Sequence, residues 1–187
     1  MRCTLVLASA SPRRRQLISV FGLPVVVRPS SVDESVPDGW TPARTVEELS
    51  RRKAEAVLRE LASTRAASGP GASDEVRVFV GSDTVVVLDG KLLGKPADWE
   101  DARNMLRRLS GRTHEVYTGV TCIREPDGRM LTKHRMTRVT FRPLSDSLIE
   151  RYVATGEPMD KAGAYGVQGI GAVLIENIEG DFFSVMG

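Results

Sequence analysis

The chain has 187 residues, 41% of them apolar and 27% charged, with a net charge of +2. That length suits one sizeable α/β domain or two lobes sharing a core, and the composition is that of a soluble globular protein. So small a net charge does not announce a nucleic-acid binder. No apolar run reaches membrane-spanning length, and the N-terminus lacks the apolar core of a signal peptide, so a cytoplasmic location is expected. Cys3 and Cys122 fall in apolar strand-like runs without metal-ligand spacing, so buried free thiols are expected.

Residues 4–7 read as a strand running into the small hydroxyl residues Ser9 and Ser11. Ser11 before Pro12 fits an N-cap followed by proline at the first helical position. The helix then carries Arg13, Arg14 and Arg15, with Leu17, Ile18 and Phe21 as its apolar residues. Cations at the positive end of a helix dipole oppose it unless an anion is present, so the segment is either a polyphosphate cradle or a solvated basic face. Residues 24–28 read as a short strand and residues 29–34 as a polar loop, whose Asp33 and Glu34 are surface acids or metal-site contributors.

Thr45 and Glu48 have the spacing of a capping box, opening a helix with Leu49, Val57, Leu58 and Leu61 on its apolar stripe. The three cations Arg51, Arg52 and Lys53 cannot all share one helix face, so either at least one points towards a cleft or all are simply solvated. Residues 63–74, with a Gly-Pro-Gly core, read as a loop, and no internal repeat is found. Residues 76–88 form a largely apolar run interrupted by G-S-D-T at 81–84, and Asp89-Gly90 signals a hairpin back into residues 91–93. A carboxylate within an apolar strand is costly unless paired or bound to a metal, so Asp83 is read as functional. Lys95 of G-K-P follows.

Residues 98–109 form an amphipathic helix capped by Asp98, with Ala102, Met105, Leu106 and Leu109 on one face and Gly111 as its stop. Strands are expected at 116–123 and 130–141 around a Pro126-Asp127-Gly128 turn, and a helix at 145–154. His114 and His134 have no partner at zinc-ligand spacing. The segment 156–169 carries four glycines with Glu157, Asp160, Lys161 and Gln168, which permits close backbone approach to a ligand or tight turns alone. Strands at 172–178 and 182–185 are expected to close the chain around Glu179-Gly180.

The nucleophile elbow G-x-S-x-G, the P-loop and the dinucleotide fingerprint G-x-G-x-x-G are all absent. What remains is a set of acids (Glu34, Asp83, Asp160, Glu157) and cations (Arg13, Arg14, Lys53, Lys95, Lys161) in loop or strand-end contexts. Carboxylates hold Mg²⁺ or Mn²⁺, basic side chains neutralise phosphate oxygens, and a carboxylate can orient or deprotonate water. That inventory suits a nucleoside polyphosphate with a hard divalent cation.

Five motifs in order, S-A-S-P-R-R, G-S-D-T-V-V, G-K-P, S-G-R-T-H-E-V-Y-T-G-V and G-E-P-M-D-K-A-G-A-Y-G-V-Q-G, resemble the Maf family of nucleoside triphosphate pyrophosphatases, once described as septum-formation inhibitors. The resemblance covers nearly the whole chain and implies a single Maf-like domain over residues 1–187. The implied fold is α/β and related to the inosine-triphosphate pyrophosphatases: an extended mixed sheet with flanking helices, in two lobes around a central cleft. The implied reaction is metal-dependent attack of water on the α-phosphorus, giving NMP and pyrophosphate. Asp83 matches the proton acceptor, and Glu34 with Asp83 the Mg²⁺ or Mn²⁺ site. Ser9, Ser11, Arg13, Lys53, Thr84, Lys95, Lys161 and Gln168 match substrate-binding or specificity positions.

Within the family, the trio matched by Arg13, Thr84 and Gln168 marks the branch resembling dTTP/UTP pyrophosphatases, which implies pyrimidine triphosphates and modified forms of them. A glutamine amide offers the donor and acceptor that the O4 and N3–H edge of uracil or thymine requires. The family pattern also implies a closing helix beyond residue 187 and admits a homodimer. The rival expectation is a regulator of cell division that binds a nucleotide, protein or nucleic acid through Arg13 to Arg15 and Arg51 to Lys53 without turnover. Those basic runs lack interleaved aromatics, and aromatic content is only 5%, so nucleic acid is not the expected partner.

Overall fold

The computed structural model describes residues 2–67 and 75–187, and the Gly-Pro-rich stretch at 69–72 lies outside them. In chain order the elements are β1 (Arg2–Leu7), α1 (Pro12–Ser19), β2 (Val25–Val27), α2 (Pro42–Ala67), β3 (Glu75–Leu88), β4 (Lys91–Leu93), α3 (Trp99–Leu109), β5 (Thr113–Glu125), β6 (Met130–Phe141), α4 (Asp146–Val153), β7 (Ile175–Glu179) and α5 (Phe182–Met186). Short 3₁₀ turns fill much of the segment between α4 and β7. The strands form one mixed sheet in the order β2-β1-β3-β5-β6-β7, with β4 paired to β3. β1 lies parallel to β2 and β3, while β4 on β3 and β7 on β6 are antiparallel. The expected α/β class with a mixed sheet is therefore observed.

The chain forms two compact units, the first comprising Met1–Asp83, Gly119–His134 and Gly187, the second Thr84–Thr118 and Arg135–Met186. In the first, strand alternation sorts β1 into two faces. Val6 and Ala8 join Phe79, Ile123, Ala54 and Val57 beneath α2, whereas Leu5 and Leu7 join Ile18 of α1. Two glycines let α2 lie close on the strands. A Cβ at Gly81 would stand 2.1 Å from the Ser50 carbonyl oxygen, and one at Gly119 would stand 2.3 Å from that of Val46. Gly81→Ala is thus expected to lift α2 and cost at least about 2 kcal/mol in a urea melt, because neither neighbour is a flexible side-chain tip. A loss below about 0.5 kcal/mol would refute this account of the packing.

In the second unit, α3 presents the expected stripe of Ala102, Met105, Leu106 and Leu109, all buried, and is capped by Asp98, whose carboxylate accepts from Asp101 N at 2.8 Å. Helix α4 packs on α3, and Arg103–Glu150 (2.7 Å) and Arg107–Asp146 (2.9 Å) bridge their exposed rims. His114 is a core residue: its Nε2 lies 2.7 Å from the Tyr165 hydroxyl, and its ring meets Phe141 and Tyr165 edge-on. Burial lowers its pKa to about 4, so it is neutral at pH 7.

Several expected boundaries move, each for a local reason. Helix α2 starts before Thr45, since Thr41 Oγ1 accepts from Arg44 N at 3.2 Å and Pro42 supplies the pre-set first turn. Thr45 is buried inside the helix and Glu48 pairs with Arg51 and Arg52, so the capping box does not form. The helix also runs on to Ala67, past the expected loop start at residue 63. Phe21 lies beyond the end of α1 and is exposed, leaving Ile18 as that helix's buried residue. The G-S-D-T segment does not interrupt β3, which is continuous. Both cysteines are free but only half-buried.

At the end of the chain, residues 172–174 belong to a 3₁₀ turn because the Glu157 carboxylate takes the Ile170 and Gly171 amides, at 3.0 and 2.9 Å. Residues 182–185 are helical, not extended. Asp181 Oδ1 accepts from Ser184 N at 2.7 Å, an N-cap bond that decides between helix and strand for a short apolar run.

Candidate functional site

The charged centre of the first unit is built from β3, α2, α1 and the loop between β2 and α2. Asp83 is the last residue of that unit on β3, two positions after Gly81 and so on the same face, turned toward α2. Because Gly81 admits α2 so closely, Lys53 on that helix meets Asp83 directly: Nζ donates to Oδ1 at 2.6 Å, with both side chains only 9% exposed. The same ammonium lies 2.8 Å from Glu34 Oε1, whose side chain is 59% exposed. Of the adjacent cations Arg51, Arg52 and Lys53, Lys53 is the one turned inward; Arg51 and Arg52 pair with Glu48 on the helix surface.

Arg14 completes the group. Its guanidinium end is enclosed, Nη1 donating to the Ser82 carbonyl at 2.7 Å and Nε to that of Gly187 at 3.3 Å. Burial lowers its pKa, and the nearby Asp83 carboxylate opposes that shift. Arg13, the arginine singled out by the motif, is half-buried one residue before it. Ser11 caps α1 through a long 3.5 Å bond from Arg14 N, and Ser9 Oγ accepts from Ser11 N at 3.2 Å, so both hydroxyls shape the turn that presents the arginines.

Burial raises the pKa of Asp83, while Lys53 and Arg14 draw it back down. A carboxylate made more basic by enclosure, yet held beside cations, is a competent proton acceptor. The Ser82 hydroxyl is buried with no hydrogen-bond partner among the described residues.

The remaining motif residues belong to the second unit. Lys95 is exposed after β4. Lys161 Nζ donates to the Glu157 carbonyl (2.5 Å) and reaches Asp160 Oδ1 (2.6 Å). Gln168 is half-buried ahead of the 3₁₀ turn Gly169–Leu174. Thr84 Oγ1 lies 2.8 Å from Thr118 Oγ1. Thr118 gives its single proton to the Ser184 carbonyl at 2.6 Å, so Thr84 is the donor in the pair. Its hydroxyl can therefore meet a ligand only as an acceptor.

Two contributors were less legible in the motifs. Arg14 stands at the third helical position, where only the N-cap bond of Ser11 distinguishes it from Arg13 and Arg15. Glu157 accepts from Tyr152 Oη (3.0 Å) as well as from Ile170 and Gly171, ordering the glycine-rich segment around Gln168. A carboxylate twelve or more residues before paired glycines carries no recognisable spacing.

An α/β protein with an enclosed acid–ammonium pair beside an arginine-bearing helix start has the chemistry of a phosphate-handling protein. The profile of the family described as Maf-like protein matches residues 4–187, and the chain belongs to that family. Among its relatives, a dTTP/UTP pyrophosphatase of Moorella thermoacetica is 50% identical over 98% of this chain and 88% of its own length. One from Thermotoga maritima is 45% identical over 98% of this chain and 82% of its own. The solved Ham1 protein of Staphylococcus aureus aligns at 17% identity with a TM-score of 0.49, covering 92% of this chain and 79% of that one.

Proposed function

We propose that this chain is a nucleoside triphosphate pyrophosphatase acting on dTTP and UTP. The observation that carries the reading is the set of relatives bearing that name at 43–50% identity over 98% of the chain. The enclosed Asp83–Lys53 pair supplies chemistry that fits it. In the proposed reaction a water oxygen bonds to the α-phosphorus, its proton passes to the Asp83 carboxylate, and the α–β anhydride bond breaks to release pyrophosphate. Lys53 holds Asp83 in place and in its charged form. Arg13, Arg14, Lys95 and Lys161 oppose the phosphate charge, and Ser9 and Ser11 present the arginine turn.

A divalent cation, Mg²⁺ or Mn²⁺, belongs to the proposal, with Glu34 and Asp83 as its protein ligands. Among the described residues no cluster of three or more His, Cys, Asp or Glu side chains gathers. Two hard carboxylates converging on one ammonium fit an ion that takes its other oxygens from water and phosphates. When bound, the ion adds positive charge at the phosphates and acidifies water.

Thr84 and Gln168 are the proposed readers of the base. Thr84 offers an acceptor only, and the Gln168 amide complements the O4 and N3–H edge. The test is pyrophosphate release across UTP, dTTP, CTP, ATP and GTP with Mg²⁺ or Mn²⁺. UTP and dTTP are expected to exceed CTP, whose edge reverses donor and acceptor, by at least about tenfold in kcat/KM, the scale of one net hydrogen bond. They are expected to exceed GTP as well, whose O6 and N1–H repeat the uracil pattern, because its purine ring is larger. GTP turned over best would overturn the base assignment, and tight binding with no turnover would overturn the enzyme.

A further inference from the structure

Glu34 lies in a stretch without regular secondary structure between β2 and α2, yet its carboxylate meets a buried ammonium. Something must hold the loop. Arg52 Nη1 donates to the Ser35 carbonyl at 2.9 Å and lies 3.4 Å from the Asp33 carbonyl, so it grasps the backbone on both sides of Glu34. Its Nε is braced by Glu48 at 3.1 Å. Its guanidinium lies 5.8 Å from the ring centre of Trp40, against which Arg44 also packs at 4.4 Å. The loop is further closed on itself: Asp33 accepts from Ser35 N (2.8 Å) and from Ser35 Oγ (2.6 Å).

We propose that Arg52 is a positioning residue, clamping the 33–35 turn to α2 so that Glu34 is delivered to Lys53, its neighbour in sequence on the same helix. Arg52 and Lys53 divide the work: one holds the loop's backbone at the surface, the other receives the loop's carboxylate in the interior. Ordering a loop residue costs backbone entropy, and an exposed Glu34 has little burial to offset it. Charge-assisted bonds to two flanking carbonyls supply that restraint. The inference rests on the proposed role of Glu34 in the reaction.

The experiment compares Arg52→Ala, Arg52→Lys, Glu34→Gln, the double variant Arg52→Ala/Glu34→Gln, and the control Arg51→Ala. Pyrophosphate release from UTP is followed against Mg²⁺ concentration, and amide exchange of residues 30–40 is measured by mass spectrometry. Arg52→Ala is expected to lower kcat/KM by about tenfold and raise the Mg²⁺ needed for half-maximal rate, as loss of a single coupled partner does. The double variant is expected to be no slower than Glu34→Gln alone, Arg52→Lys to recover part of the loss, and Arg51→Ala to stay within about twofold of the parent. Exchange in the loop is expected to quicken in Arg52→Ala and not in Arg51→Ala.

Losses that multiply in the double variant, or wild-type rates and loop exchange in Arg52→Ala, would overturn the proposal. If the parent protein itself released no pyrophosphate from UTP, the functional reading would fail, and the exchange comparison would still decide whether Arg52 orders the loop.

Discussion

Asp83→Asn is expected to lower kcat for pyrophosphate release from UTP by roughly 10³-fold while the chain still folds, as removal of a general base does. Asparagine keeps an oxygen where Asp83 Oδ1 now accepts from Lys53 at 2.6 Å, so the pairing of β3 with α2 survives the exchange. The pH dependence follows from the enclosure. Burial raises the Asp83 pKa, so the acid limb of the wild-type kcat/KM profile is expected above the ordinary aspartate value of 3.8. The same shift has a sign for stability. The folded chain keeps the Asp83 proton to a higher pH than the unfolded chain does. This group's contribution is therefore in place below about pH 3.8 and is lost as pH rises through the raised value. Asp83→Asn removes that loss, so its stability is expected to decline less between pH 4 and pH 7 than the wild type's. Turnover within about tenfold of wild type would end the assignment of Asp83 as proton acceptor.

Lys53→Met is expected to destabilise the first unit by about 3–5 kcal/mol at pH 7. The ammonium is the shared partner of Asp83 and Glu34, at 2.6 and 2.8 Å, and without it an enclosed carboxylate has lost its closest counter-charge. Methionine fills most of the stem volume, so the loss reports charge more than cavity. Two internal checks distinguish the cause. The deficit is expected to shrink at pH 5, because a carboxyl whose pKa is raised takes up a proton there more readily. The double variant Lys53→Met/Asp83→Asn is expected to recover much of the stability and none of the activity, since the unpaired charge is gone but so is the base. A deficit below about 1 kcal/mol, or one equal at the two pH values, would show that Lys53 is not the partner on which Asp83 depends.

Much of this site was legible before any coordinates. The Ser11-Pro12 cap, the amphipathic stripe of α3, the Asp89-Gly90 hairpin and a partner for the carboxylate in an apolar strand follow from local or chemical facts, and each is observed. The departures from local spacing are local too. Thr45 and Glu48 satisfy the spacing of a capping box, but Thr41-Pro42 competes one turn earlier and wins. Residues 182–185 suit a strand by composition, but the Asp181 cap turns them into a helix.

What the sequence by itself determined is the family, the α/β class and the inventory of charged groups, because five ordered motifs and short-range periodicities survive without knowledge of what packs on what. Which of three adjacent cations turns inward, which arginine of the first helix is enclosed, and how an exposed Glu34 reaches a buried ammonium were decided by tertiary structure alone. The reason is the close approach of α2 at Gly81: a helix seated that near a strand buries the side chains of one face, Ser50, Lys53, Ala54 and Val57 among them, and local spacing does not record which face will be covered.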